Sequence, residues 1–345
     1  MKKIKDPTLF QHIKNFLTVY LPEIRGKSNN TIVSYRDTIN LYLLYLKENQ
    51  NIPLEHVTVA HFNAMNITAF RKWLAEKRNN SISSCNLRLS GMRNFCHYLT
   101  DERILTYDDF MRICSIEKWK EPHKTIEILA IPEMKRLLEL PDLSTKNGLR
   151  DRFYMALLYD SGCRNQEILS CRLEDIRIDS SGYGQIRVIG KGNKYRVTPL
   201  SAEVIKIFQE YKSVFHSHND LGDYLFYTKR NGLITQMSPD NVARFLNKYE
   251  KILIKEIPHI PHLHPHLFRH TRAMHLYQAG MPLVMVSEWL GHSQLETTLI
   301  YAHADTEMKR KAVEEINSIE NSVFTNENFK YADEENIIKK LYGLS

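Results

Sequence analysis

Between Pro265 and Tyr301 the chain is punctuated so tightly that only short helices fit. The stretch 266–301 reads HLFRHTRAMHLYQAGMPLVMVSEWLGHSQLETTLIY. Pro265 suits the first turn of a helix, where its missing N–H costs nothing, and places His266 and Arg269 one turn apart on a common face. A second helix begins at Pro282, buries Leu283, Val286, Trp289 and Leu290, and stops at Gly291. Ser293 and Glu296 have the spacing of a capping box and start a third. His292 therefore falls in a tight turn just past a glycine stop, and Tyr301 lies about two turns along the next helix.

The chain ahead of this stretch is mostly helical by its periodicity. Residues 8–20, 30–48, 66–78 and 83–99 read as four helices of a compact N-terminal bundle. The polar connection from Lys27 to Thr31, including Asn30, suits an approach to phosphates. Arg88 and Arg93 lie on the non-apolar sides of the fourth helix. Residues 116–127, charged and broken by Pro122, read as a linker between a domain at 1–115 and a second at 128–305. In the second domain an apolar helix over 152–161 runs into Gly162-Cys163-Arg164, with Glu167 one turn on. Residues 185–189 and 195–199 alternate as a β-hairpin whose tip, 190–194, carries Lys191 and Lys194 between glycines. Helices are expected over 202–215 and 238–255, with loop-rich chain over 216–232. The expected fold is mainly α with a small antiparallel β-sheet. Taken singly, each polar residue has a plain structural reading: Arg164 as a capping arginine, Lys191 as a solvated turn, His292 as a turn histidine, Tyr301 as one of 18 tyrosines.

Charge and cysteine usage narrow the class. Residues 1–115 carry 16 Lys and Arg against 10 Asp and Glu, so most of the chain's net charge of +7 sits in its N-terminal third. A localised excess of this kind suits a polyanionic partner. The five cysteines are scattered without a C-x-x-C pair, which argues against a disulfide framework or a zinc site. The histidines at 259, 262, 264 and 266 are interrupted by prolines and joined by no cysteine or carboxylate, so no metal is expected. No apolar run approaches the roughly 18 residues of a membrane span, and no signal peptide opens the chain. A cytoplasmic location is the expectation.

The order GCRNQE, GKGNK in a hairpin, HLFRH, then GHSQLETTLIY resembles the tyrosine recombinase family of phage-type integrases and Xer-type recombinases. The nine positions from His292 to Tyr301 match the family pattern. The resemblance covers residues 128–305 as a catalytic domain, with 1–115 as a helical, SAM-like core-binding domain. It implies Arg164, Lys191, His266, Arg269, His292 and the nucleophile Tyr301 as catalytic residues, with Glu167 supporting Arg164. It implies double-stranded DNA as partner, gripped by both domains and contacted through Lys27, Asn30, Thr31, Arg88, Arg93 and Lys194. Four protomers on two DNA sites would form the working assembly, with accessory DNA-bending proteins as further partners and no cofactor. Cys163 stands where the family commonly has a larger apolar residue. The tail, 306–345, is a second departure, net acidic with helices expected at 307–319 and 333–342 that dock on a neighbouring protomer.

The chemistry fits these residue types. A tyrosine hydroxyl with pKa about 10 is scarcely ionised at neutral pH and needs a base together with a stabilised target. Two arginines can clamp the non-bridging oxygens of a phosphodiester under attack, and a histidine can add a donor. A lysine on a glycine-rich hairpin can protonate the departing 5′ oxygen. The competing readings are a DNA-binding protein with a silent site and a topoisomerase IB-like enzyme that relaxes DNA by similar chemistry.

Overall fold

The computed structural model describes residues 4–121, 126–190, 195–218, 220–291 and 296–304, together with Lys339. The chain divides into two units, Met1–Lys124 and Thr125–Ser345. Among the described residues no helix is long and apolar enough to cross a membrane.

The first unit is built of capped helices. Asp6 accepts from the backbone N–H of Leu9 at 3.0 Å and starts α1 (Pro7–Asn15). This helix passes directly into a π-helical segment, Phe16–Ile24, and so runs beyond the expected end at residue 20. Pro22 lies inside that segment; it cannot donate to an α-helical ladder, and the wider turns accommodate it. Then come α2 (Asn29–Gln50), α3 (Ala64–Glu76) capped by Asn63, and α4 (Ile82–Asp101) capped by Ser81. A further helix, α5 (Tyr107–Cys114), is capped by Thr106; its eight residues fall below the length at which periodicity is legible. Aromatic rings fill the core, with Phe70 edge-on to Tyr42 at 5.1 Å and Phe16 edge-on to Phe95 at 5.1 Å. Residues 116–121, read from the sequence as linker, are held on this unit. Trp119 exchanges two hydrogen bonds with the Asn86 side chain, and the Arg71 guanidinium lies over its ring at 4.3 Å.

The second unit centres on a buried helix. After α6 (Ile131–Glu139) comes α7 (Lys146–Ser161), whose Phe153 packs on the rings of Phe208, Tyr211 and Phe226 at 5.5, 4.8 and 5.3 Å. The short α8 (Asn165–Ser170) leads into an antiparallel sheet of β1 (Ile176–Ile178), β2 (Gly184–Ile189) and β3 (Tyr195–Leu200). The β2–β3 register ends at Ile189 opposite Tyr195, the hairpin expected from the alternation. Helix α9 (Ala202–Phe215) covers α7. A second ribbon, β4 (Tyr227–Arg230) and β5 (Leu233–Gln236), occupies part of the stretch expected to be loop. Its strands are only four residues each, too short to announce themselves; the signal was the Asn231-Gly232 pair, both with positive φ, at the turn. Four helices complete the unit: α10 (Pro239–Glu256), α11 (Pro265–Gln278), α12 (Leu283–Leu290) and α13 (Glu296–Ala304).

Because α7 fixes the approach to Gly162 and Arg164, its packing matters beyond stability. Replacing Phe153 by Ala removes the ring that three aromatic partners enclose and is expected to cost about 3–5 kcal/mol. Denaturant unfolding of the purified variant measures this loss.

Candidate active site

Helix α7 ends at Gly162, whose left-handed φ of 62° lets the chain turn sharply. Arg164 follows as the cap of α8, and Glu167 folds back onto it. The Glu167 carboxylate accepts from the Arg164 backbone N–H at 2.8 Å and from its Nη1 at 2.9 Å. A second guanidinium reaches the same carboxylate from β3. Arg196 donates to its two oxygens at 3.0 and 2.7 Å, and to the Cys163 sulfur at 3.3 Å. The small Cys163 side chain thus supplies a soft acceptor to Arg196. Burial pushes the Glu167 carboxyl up, but the bonds from Arg196 and Arg164 outweigh it, and the net position lies below the ordinary value of 4.5.

Arg269 is 3% exposed on α11 and donates to two carbonyls, Gly162 at 2.7 Å and Leu290 at 2.7 Å. These are the C-terminal ends of α7 and α12. Burial, then repulsion from Arg164, draws Arg269 down to about 10, so it stays charged at neutral pH. Leu290 is followed by Gly291, at φ 65°, where an added Cβ would lie 3.0 Å from Arg196. Arg272 reinforces this corner, pairing with Asp160 at 3.0 Å between the rings of Tyr159 and Trp289.

Tyr301 on α13 is buried at 1% exposure, packed with Ala273, Met274, Val286 and Leu290. Its hydroxyl lies 2.9 Å from Nδ1 of His270. Burial pushes this tyrosine up to about 12. His266 sits one turn before His270, and its imidazole is held below the ordinary histidine value by burial and by Arg269 and Arg164. Arg164, Glu167, His266, Arg269 and Tyr301 therefore lie in one electrostatic neighbourhood. Lys191, Lys194, His292 and the tail from 306 to 338 lie outside the described residues.

Two residues of this neighbourhood escaped the sequence reading. Arg196 looked like the polar member of an alternating strand; its signal was its place on the strand leaving the lysine hairpin. His270 follows Arg269 directly, and its signal was the four-residue spacing from His266.

Of the residues expected to reach DNA, Lys27 and Asn30 are exposed and Thr31 half-buried at the start of α2. Arg88 and Arg93 have partners within the unit. Arg88 donates to the Ser34 carbonyl and the Thr38 hydroxyl, both at 2.9 Å. Arg93 donates to the carbonyls of Ile113, Cys114 and Ile116, where the end of α5 leaves acceptors without intrahelical partners.

Comparison with known proteins identifies the family. The phage integrase family profile matches residues 127–308, and that of the phage integrase N-terminal SAM-like domain matches residues 13–103. The tyrosine recombinase XerD of Pasteurella multocida is 32% identical over 309 residues, covering 88% of this chain and 96% of its own. A putative integrase/recombinase of Sinorhizobium fredii is 28% identical over 342 residues, 99% of each chain. Among solved structures, the XerH site-specific recombinase in a post-cleavage complex with its difH substrate superimposes with a TM-score of 0.66 at 21% identity, covering 91% of this chain and 90% of that one.

Glu167 is the carboxylate on which two guanidiniums converge, so its neutralisation has a defined signature. Its depressed folded pKa stabilises the native state above the ordinary carboxylate range, and that contribution is lost as pH falls below it. Glu167→Gln is expected to cost about 3–5 kcal/mol at pH 7, the scale for breaking a buried pair. The gap between wild-type and variant melting temperatures should narrow as pH is lowered below about 4.

Proposed function

The chain belongs to the phage integrase family of tyrosine recombinases, and on that premise we propose that it cuts and rejoins double-stranded DNA through a 3′-phosphotyrosyl link to Tyr301. The observation that carries this reading is Arg269, whose two bonds tie the Arg164 turn to the end of α12, two positions before His292 and eleven before Tyr301.

In this reading Arg164 and Arg269 clamp the non-bridging oxygens of the scissile phosphate, where negative charge grows during attack. Arg269 releases one of its carbonyls to do so, or presents its remaining N–H groups. Glu167 and Arg196 keep Arg164 in place. His292 adds a donor, Lys191 protonates the departing 5′ oxygen, and His266 assists proton transfer from the tyrosine. The phosphotyrosyl link conserves the energy of the broken ester, so exchange of strands needs neither ATP nor metal. Lys27, Asn30, Thr31 and Lys194 contact the DNA backbone; the first three lie at a helix N-terminus, which favours phosphate. The working assembly is four protomers on two sites, with the tail of each docking on a neighbour. Val284, Met285, Leu299 and Ile300, exposed on α12 and α13, offer that tail an apolar surface.

A nicked duplex that traps the covalent product tests the chemistry. The unmodified chain should form an SDS-stable adduct and Tyr301→Phe none; a verified site with no wild-type adduct would favour a silent DNA-binding protein. Affinity for the same duplex should fall linearly on a log–log plot against salt, with a slope near −0.9 per neutralised phosphate. Removal of residues after 318 should abolish tetramer assembly on DNA by size exclusion, and unchanged assembly would count against tail exchange.

A further inference from the structure

The tyrosine hydroxyl already has a partner in this structure, and it is not the histidine that the family resemblance puts forward. Tyr301 Oη lies 2.9 Å from His270 Nδ1, with the rings 5.9 Å apart between centroids. The His266 ring lies beyond, its centroid 6.4 Å from that of His270. Resting on the reading of Tyr301 as nucleophile, we propose that His270 is a further catalytic residue: its Nδ1 takes the tyrosine's proton during attack and returns it during rejoining.

The atoms balance as follows. In cleavage the Oη–P bond forms and the P–O5′ bond breaks. The phenolic proton moves to His270 Nδ1, and the 5′ oxygen takes a proton from a separate donor, the role given to Lys191. In rejoining the 5′ hydroxyl gives its proton back to that separate group and attacks phosphorus, the Oη–P bond breaks, and the imidazolium returns its proton to Oη. His266, one turn earlier on α11, assists that transfer through His270.

Geometry favours this division of labour. His270 follows Arg269 directly, so acceptor and phosphate clamp share one turn of a rigid helix. The imidazole faces His266, Arg269 and His264 from its own helix and its N-terminal approach, and Tyr301 from α13. Burial, followed by these cationic neighbours, holds His270 down to about 4, so its ring is neutral, and in the tautomer that carries its proton on Nε2 the Nδ1 atom accepts from Oη. With Tyr301 pushed up to about 12, the proton rests on the oxygen while no phosphate is present. An arriving phosphodiester brings negative charge that raises the imidazole, and the phenol loses its proton readily once Oη bonds to phosphorus.

Two substrates test the assignment. On a nicked duplex with which the unmodified chain forms an SDS-stable adduct, His270→Ala and His270→Asn should each slow adduct formation about 100-fold or more, the scale of a lost general base. The Asn variant keeps an acceptor near Nδ1, so its thermal melting should match wild type and separate chemistry from folding. The second duplex carries a 5′ hydroxyl facing a 3′ p-nitrophenyl phosphate. Nitrophenolate departs without a proton, so the Tyr301→Phe chain should release it equally fast with His270 or Asn at this position. An unchanged adduct rate in the single variants overturns the proposal, and so does a loss of nitrophenol release on adding His270→Asn to Tyr301→Phe. If Tyr301→Phe itself still forms the adduct, it is the nucleophile assignment that fails.

Discussion

A buried guanidinium is costly to desolvate, and the second unit compensates that cost with the ends of two helices. Arg269 faces the C-termini of α7 and α12, where carbonyls lack intrahelical partners and the helix dipoles are negative. One cation therefore satisfies two orphan acceptors and draws together segments 128 positions apart in the chain. The rest of the site hangs from this pin: the Arg164 turn begins where one carbonyl is held, and the connection to Tyr301 begins where the other is held.

Around the pin the charge is unbalanced. Among the described residues, Arg164 and Arg196 converge on one carboxylate, Glu167, whose charge also acts on Arg269. Arg196 spends itself on that carboxylate and on Cys163, which leaves the positive potential of Arg164 and Arg269 without an equal counter-charge. Such an excess is expensive in an empty site and favourable when an anion of two or more oxygens enters, since donors already in position need no reorganisation. The shared Glu167 also explains why the sheet belongs to the site: β3 holds Arg196 against Gly291 while its partner strand leads into the hairpin of Lys191.

Much of this was legible in the chain. Pro265, Pro282 and Gly291 marked the helix ends of the C-terminal region, because these residues act through their own backbone and need no tertiary context. What was not legible depended on long-range partners. Arg88 and Arg93 looked like free cations because nothing local reveals that the Ser34 carbonyl and the end of α5 await them. His270 looked like a repeat of His266, since which of two histidines a distant tyrosine meets is settled by packing. Residues 116–121 looked like linker because Asn86 and Arg71, which hold Trp119, lie about 30 and 50 positions away in sequence.

The dry seat of Tyr301 bears on selectivity. Any arrangement in which its hydroxyl meets a phosphate lies above the resting one by the free energy of uncovering Tyr301 from Ala273, Met274, Val286 and Leu290. That gap multiplies the apparent dissociation constant of every ligand that needs the open form by the inverse of its population. A DNA that makes few contacts cannot supply the difference, whereas one that makes many can. In the proposed reaction the buried tyrosine thus sets a threshold of binding free energy that any duplex, whatever its sequence, must supply before the hydroxyl emerges.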